Sequence, residues 1–210
     1  MDRSGKFWDR KAEGYARSPI SDEATYQKKL SDTQKFFTPD RNILEFGCGT
    51  GTTAIHHAPH VQHIEEVDIS ENMLEIGRTK ARKACIDNIK FTKSTLTEFN
   101  AEPANFDAVL GLNVIHLLPD RRDVLTEVAR ILKPGGVFVS STVCLGNSYM
   151  RFIKHLVPLG KFMGLMPDVF ILTEVKLAKE IQDAGFTIEV QWRHGMHNMV
   201  IFIIARKIDL

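Results

Sequence analysis

The chain has 210 residues, 43% apolar and 25% charged, which is enough for one domain with a sizeable core and is ordinary for a globular protein. A formal net charge of +1 excludes a strongly charged surface as the basis of function, so no nucleic-acid partner is expected. Cys48, Cys85 and Cys144 fit neither a zinc pattern nor a disulfide framework; the opening MDRSGKFWDRKAEGYA lacks the apolar core of a signal peptide, and no apolar run nears the ~20 residues of a membrane span, so a cytoplasmic location without a transmembrane segment is expected.

Two amphipathic segments come first. Trp8, Ala12, Tyr15 and Ala16 share a helical face, and Ser18-Pro19 breaks that helix. A second helix is predicted over 21–37, with Tyr26, Leu30, Thr33 and Phe37 spaced by three and four. Residues 1–38 are therefore expected to form a helical cap on whatever follows.

Strand and helix then alternate. Residues 42–46 read as a short buried strand that runs into Gly47-Cys48-Gly49-Thr50-Gly51, with a helix entered there and stopped by Pro59. Further strands are predicted at 63–69, 89–92, 107–111 and 137–143. Ser70 is placed to cap a helix that presents Met73, Leu74, Gly77, Ala81 and Ala84 on one face. Asp120 can cap another, with Val124, Leu125, Val128, Ala129 and Leu132 inward and Lys133-Pro134-Gly135-Gly136 as its stop. A last helix over 173–184 ends at Gly185. Residues 186–192 and 199–205 read as an antiparallel pair at the sheet edge. The expected fold is α/β: a single domain over 1–210 with a Rossmann-like, mostly parallel seven-stranded sheet, helices on both faces and an antiparallel last strand. The stretch 145–172 is too long for a connector and reads as an insertion.

The informative motif is ILEFGCGTG. Closely spaced glycines permit positive φ and let a ligand approach the backbone, and amides at a helix entry are free donors. Asp68 ends the next strand about 20 residues on, where a carboxylate can accept both hydroxyls of a ribose. Any nucleoside-bearing cofactor suits this pair; a tight turn with no ligand is the alternative. A dinucleotide fingerprint would need glycine where Thr52 stands, and a P-loop would need Lys and Ser/Thr after its last glycine.

Taken in order, ILEFGCGTG, VDISENML, FDAVLGLNVIHLLPD and EVARILKPGG resemble the successive motifs of class I S-adenosylmethionine-dependent methyltransferases, in the branch of small-molecule, quinone and lipid methyltransferases. The resemblance covers about residues 5–143. It implies S-adenosylmethionine as cofactor and S-adenosylhomocysteine as product. It also implies that Glu45, Gly47, Cys48 and Gly49 hold the methionine part, Asp68 the ribose, and Ile69 and Met73 the adenine. Gly111 and Leu112 would lie beside the sulfonium, and Tyr15 would close the site. Family members often carry an acid where KFTKSTLTEF has Thr95; here the Thr95 hydroxyl and the Leu96 amide are left to meet the adenine edge.

His116 lies just past the fourth strand and reads either as a general base or as a histidine hydrogen-bonded in a loop. Asn113 could orient an acceptor or cap a turn. His56, His57, His60 and His63 read as a solvated face rather than a metal site, and His194 and His197 as exposed residues flanking a turn. No metal is expected. Between 145 and 166 there is no Asp or Glu, while Arg151, Lys154 and Lys161 stand among Tyr149, Phe152, Ile153 and Leu156. That composition fits a lid over an apolar acceptor, with peripheral membrane contact open to it; a short helix packed on the core is the other reading. The expected activity is methyl transfer to a small or lipid-like acceptor. A non-catalytic S-adenosylmethionine-binding regulator is the alternative.

Overall fold

A computed structural model describes residues 3–147 and 167–208. The seven strands are β1 (Asn42–Phe46), β2 (His63–Asp68), β3 (Ile89–Lys93), β4 (Phe106–Leu112), β5 (Leu132–Val143), β6 (Phe186–His194) and β7 (Val200–Lys207). They form one sheet in the order β3-β2-β1-β4-β5-β7-β6. The pairs from β3 to β5 are parallel, and β7 is antiparallel to both of its neighbours. Reversal of the order beside β1 opens a crevice at the carboxyl ends of β1 and β4, where open α/β sheets bind ligands.

The helices are α1 (Arg3–Arg17), α2 (Glu23–Gln34), α3 (Thr52–His57), α4 (Glu71–Lys83), α5 (Arg121–Ile131) and α6 (Glu174–Asp183). Successive strand residues face opposite sides, so the central strands are apolar on both. Leu44, Phe46, Val109 and Phe138 meet α5 and α6 through Leu125, Val128, Leu177 and Ile181. Ile43, Ile64, Leu110 and Val139 face Phe37 and the α3 residue Ala54. Glu180 of α6 takes a bidentate ion pair from Arg121 of α5 at 2.6 and 3.0 Å, which fixes the two helices against each other. Among the described residues, no helix is long and apolar enough to cross a membrane.

Three local expectations need revision. Asp120 stands at the N-cap of α5 but its side chain makes no capping hydrogen bond. His57 is not on a solvated face: it is 1% exposed, packed edge-on to Phe37 with Nδ1 3.3 Å from Gln34, and burial pushes it down to about 3. His194 ends β6 half-buried, with Nε2 3.4 Å from the Ser141 hydroxyl; burial, then the nearby Lys29 charge, lower it to about 4. A period-based reading missed both because each lies in an element too short or too exposed to show a face. The proposed lid falls mostly on 148–166, outside the described residues; of its flanks, Leu172 is fully buried and accepts from the Gly146 amide at 2.7 Å.

Candidate active site

The glycine run after β1 is left-handed at Gly47, Gly49 and Gly51. Two of the three are required by packing. A Cβ on Gly47 would sit 2.5 Å from the Val114 side chain, and one on Gly51 2.9 Å from the Phe91 ring. Gly49 differs: only Tyr15 lies within 4 Å of the position its Cβ would take, at 3.9 Å, so the backbone there faces open space. The loop amides are less free than expected. Cys48 N donates to Val67 O, Gly51 N to Cys48 O, and Gly49 N to Asp68 Oδ2 at 2.9 Å.

Asp68 is the hinge between loop and strand. Its other oxygen accepts from Ser70 N at 2.8 Å, and it is 8% exposed. Burial raises its carboxyl pKa, and the donors at Ser70, Gly49 and Ile69 oppose that. Each carboxylate oxygen has a lone pair to spare after one such bond, so both backbone contacts leave acceptors for a diol.

These residues wall a cavity of about 500 Å³, within the usual range for small-molecule sites. Tyr15, Gly47, Gly49, Asp68, Ile69 and Met73 line it, followed by Thr95, Leu96, Leu112 and His116. Glu45, Cys48 and Gly111 are not on its wall. Gly111 is required by the Phe46 ring, which would be 2.5 Å from an added Cβ. Glu45 and Cys48 lie behind the loop. There Glu45 is the register partner of Glu66 across the β1–β2 ladder, and both are buried.

Thr95 is spoken for. Its hydroxyl donates to Glu98 Oε2 at 3.0 Å and accepts from Glu98 N at 3.2 Å, the local turn that Ser and Thr favour. Leu96 and Thr97 share the wall beside it. Sequence reasoning also missed Trp8, which lines the cavity, and Asp9, which anchors α1. Asp9 accepts from Ser70 Oγ at 2.6 Å and Asn72 N at 3.1 Å, so the cap helix is tied to the start of α4. The signal for Asp9 was hidden because its partners lie more than 60 residues away.

Beyond Leu112 the wall is apolar, with Val114, Leu117, Leu118, Val124, Val143 and Val169. His116 stands among them. Its carbonyl accepts from Phe170 N at 2.8 Å, its buried Nδ1 has no hydrogen-bond partner, and burial pushes it down to about 4. It is therefore neutral at pH 7. Among the described residues no group of His, Cys, Asp and Glu is arranged to hold a metal.

The methyltransferase domain family matches residues 43–136. Over 169 residues, 70% of this chain and 70% of the relative, the chain is 28% identical to the demethylmenaquinone methyltransferase of Listeria welshimeri. It is 33% identical over 135 residues to the 27-O-demethylrifamycin SV methyltransferase of Amycolatopsis mediterranei, 62% of this chain and 47% of that one. The fold is shared with geranyl diphosphate C-methyltransferase of Streptomyces coelicolor, solved with S-adenosyl-L-homocysteine: TM-score 0.72, 15% identity, 89% of this chain and 76% of that one. The chain is similar in sequence and fold to the class I S-adenosylmethionine-dependent methyltransferases and is an enzyme with S-adenosylmethionine as cofactor. The residues present fit that group: an open glycine backbone, a carboxylate with spare acceptors, an apolar slot between Met73 and Leu96, and buried acids behind the loop for a cation.

Proposed function

We propose that this methyltransferase acts on a small, predominantly apolar acceptor bound in the same cavity as the cofactor. One observation carries the reading: the cavity that has Asp68 and Gly49 at one end continues past Leu112 into the apolar wall of Leu117, Leu118, Val124 and Val169. The named small-molecule methyltransferases among the relatives support it.

The sulfonium of S-adenosylmethionine supplies an activated methyl group and a neutral leaving group. The chain must then align the acceptor and exclude water. In this reading Asp68 accepts from the ribose hydroxyls, and Ile69, Met73 and Leu96 pack on the adenine. Glu45, Gly47, Cys48 and Gly49 hold the methionine end, with Gly111 and Leu112 setting the floor at the reacting centre. Tyr15, with α1 and α2 as a helical cap, closes the open side. Thr95 shapes the turn that carries Leu96. Where the acceptor must lose a proton, His116, on the cavity wall, takes it.

The deciding experiment incubates the protein with S-adenosylmethionine and a panel of apolar phenols, quinols and prenylated acceptors, with sugars, amines and peptides as contrast. Mass spectrometry identifies the methylated product. Formation of S-adenosylhomocysteine with the apolar set carries the reading. Turnover confined to the polar set overturns it.

A further inference from the structure

Glu66 is the most anomalous side chain in the described residues. It is 0% exposed, and neither carboxyl oxygen has a hydrogen-bond partner of normal geometry. It sits in the middle of β2, on the sheet face that carries Ile64. A buried carboxyl without partners costs stability and is retained only against some compensating use. Its neighbour across the ladder is Glu45, 4% exposed, with no ion pair among the described residues. Two carboxyls thus stand side by side directly behind the glycine loop. The groups facing them are Cys48 and Asp68, with Tyr15 from α1 and Tyr26 and Lys29 from α2, while Glu65 acts on Glu66 from the other face of the sheet. Lys29 is the only cation in that set, and it makes no salt bridge with either acid.

We propose that Glu66 is a positioning residue for cofactor binding: it stays protonated and donates to the carboxylate of Glu45, which forms only when the cationic methionyl end of S-adenosylmethionine arrives, so that cofactor binding expels one proton from the pair. The inference rests on the reading that places Glu45 at the methionine end. The chemistry balances simply. Glu45 in the free protein is a neutral acid; the ammonium of the ligand replaces its proton as the compensating charge, and that proton leaves to the buffer. Glu66 keeps its own proton and turns it toward the new carboxylate, where a charge-assisted hydrogen bond is stronger than a neutral one. Two adjacent carboxyls in a low-dielectric site cannot both ionise, which fixes the division of roles. Burial, then Asp68, pushes Glu45 up to about 8 against the pull of Lys29, and burial, then Glu45, raises Glu66 well above the usual carboxylic-acid range. Glu45, slightly exposed, is the member that ionises.

S-adenosylhomocysteine carries the same ammonium and serves as probe. Calorimetry at pH 7 in buffers of different ionisation enthalpy reads the proton count. With Glu45 raised to about 8, most of one proton is released per ligand at pH 7, and the release shrinks as pH rises through that value. Glu45→Gln abolishes the release and weakens binding at least ~10-fold. Glu66→Leu leaves Glu45 without its donor and weakens binding ~10-fold, while the melting temperature of the free protein holds or rises because an orphaned carboxyl is gone. Glu66→Gln, which keeps a donor, recovers most of that affinity. An observed enthalpy identical in all buffers overturns the proposal with the wild-type protein alone. So does a Glu66→Leu protein that binds like wild type, or one that loses stability along with affinity. If Asp68→Ala weakens binding and Glu45→Gln does not, the cofactor site stands and the acid pair falls. If neither matters, the site reading itself is wrong.

Discussion

Replacing Asp68 with Ala removes two things at once, and the structure allows them to be separated. In the free protein the carboxylate accepts from Gly49 N and Ser70 N. Gly49 lines the cavity, so water can replace its partner. Ser70 is 0% exposed, so its amide is orphaned. One unsatisfied buried donor costs about 1–3 kcal/mol. The buried carboxyl itself is disfavoured by desolvation, which places the net loss of stability toward the lower end of that range. Binding loses more. Hydrogen bonds to a charged group contribute about 1.5–3 kcal/mol each, and two to a ribose diol are non-additive, so about 3 kcal/mol is the expected loss, or ~150-fold in Kd. Calorimetry with S-adenosylhomocysteine measures the second effect and thermal unfolding of the ligand-free protein the first. An Asp68→Ala protein that melts cooperatively and binds within threefold of wild type would refute the ribose assignment.

Asp9→Ala releases α1 from Ser70 and Asn72; limited proteolysis should cut within 3–17 faster, with S-adenosylhomocysteine bound several-fold more weakly because Tyr15 and Trp8 no longer hold their wall. Unchanged protection would mean that packing of Phe7 and Ala12, not Asp9, docks the helix. His116→Ala should lower kcat by ~10²–10⁴-fold on an acceptor that must lose a proton, with cofactor affinity kept; near wild-type kcat would return His116 to a packing role. Stability should peak near pH 6.5, for two opposite reasons. His57 and His116 are lowered from 6.5 to about 3 and about 4, so their contribution is present above 6.5 and is lost as pH falls toward those values. Glu45 is raised from 4.5 to about 8, so its contribution is present below 4.5 and is lost as pH rises to 8. Each such proton changes stability by about 1.4 kcal/mol per pH unit inside its window. Melting temperatures across pH 4–9 test this, and a curve rising from 6.5 to 8 would contradict the buried acid.

The fold was legible because its signals are local. Glycines 47 to 51 and Ser70 as a cap each act within a few residues, and the alternation of strand and helix leaves little topological choice; the helix expected to run through Leu132 to a stop at Lys133–Gly136 instead ends at Ile131, and Leu132–Val143 is strand. The cavity wall was legible where the chain crosses it at strand ends, at Asp68 and Leu112. What escaped depends on contacts between distant segments. Nothing in TLTEF marks Thr95 as occupied until Glu98 is seen to turn back on it. Nothing in HIEEVD separates the three acids, yet they have three fates. Glu65 is held by Thr92 at 2.6 Å and by Lys90, Asp68 is held by two backbone amides, and Glu66 has no hydrogen-bond partner of normal geometry, only the Cys48 thiol beside it.

That difference follows from geometry rather than composition. Strand residues alternate between faces, so Glu65 points toward one side of the sheet and Glu66 and Asp68 toward the other. Asp68, at the carboxyl end, meets the free amides of the loop and the α4 entry. Glu66, two residues earlier, lies where the ladder has consumed every backbone group and only side chains remain to answer it. The side chain beside it in the register is Glu45, another acid. A sequence under selection for stability alone would place an apolar residue at one of these positions, as Ile43 and Ile64 do one register step of the same face away. On the proposal above, two acids in that place shift onto the free protein a cost that the ammonium of the bound cofactor relieves, and the relief is read as affinity.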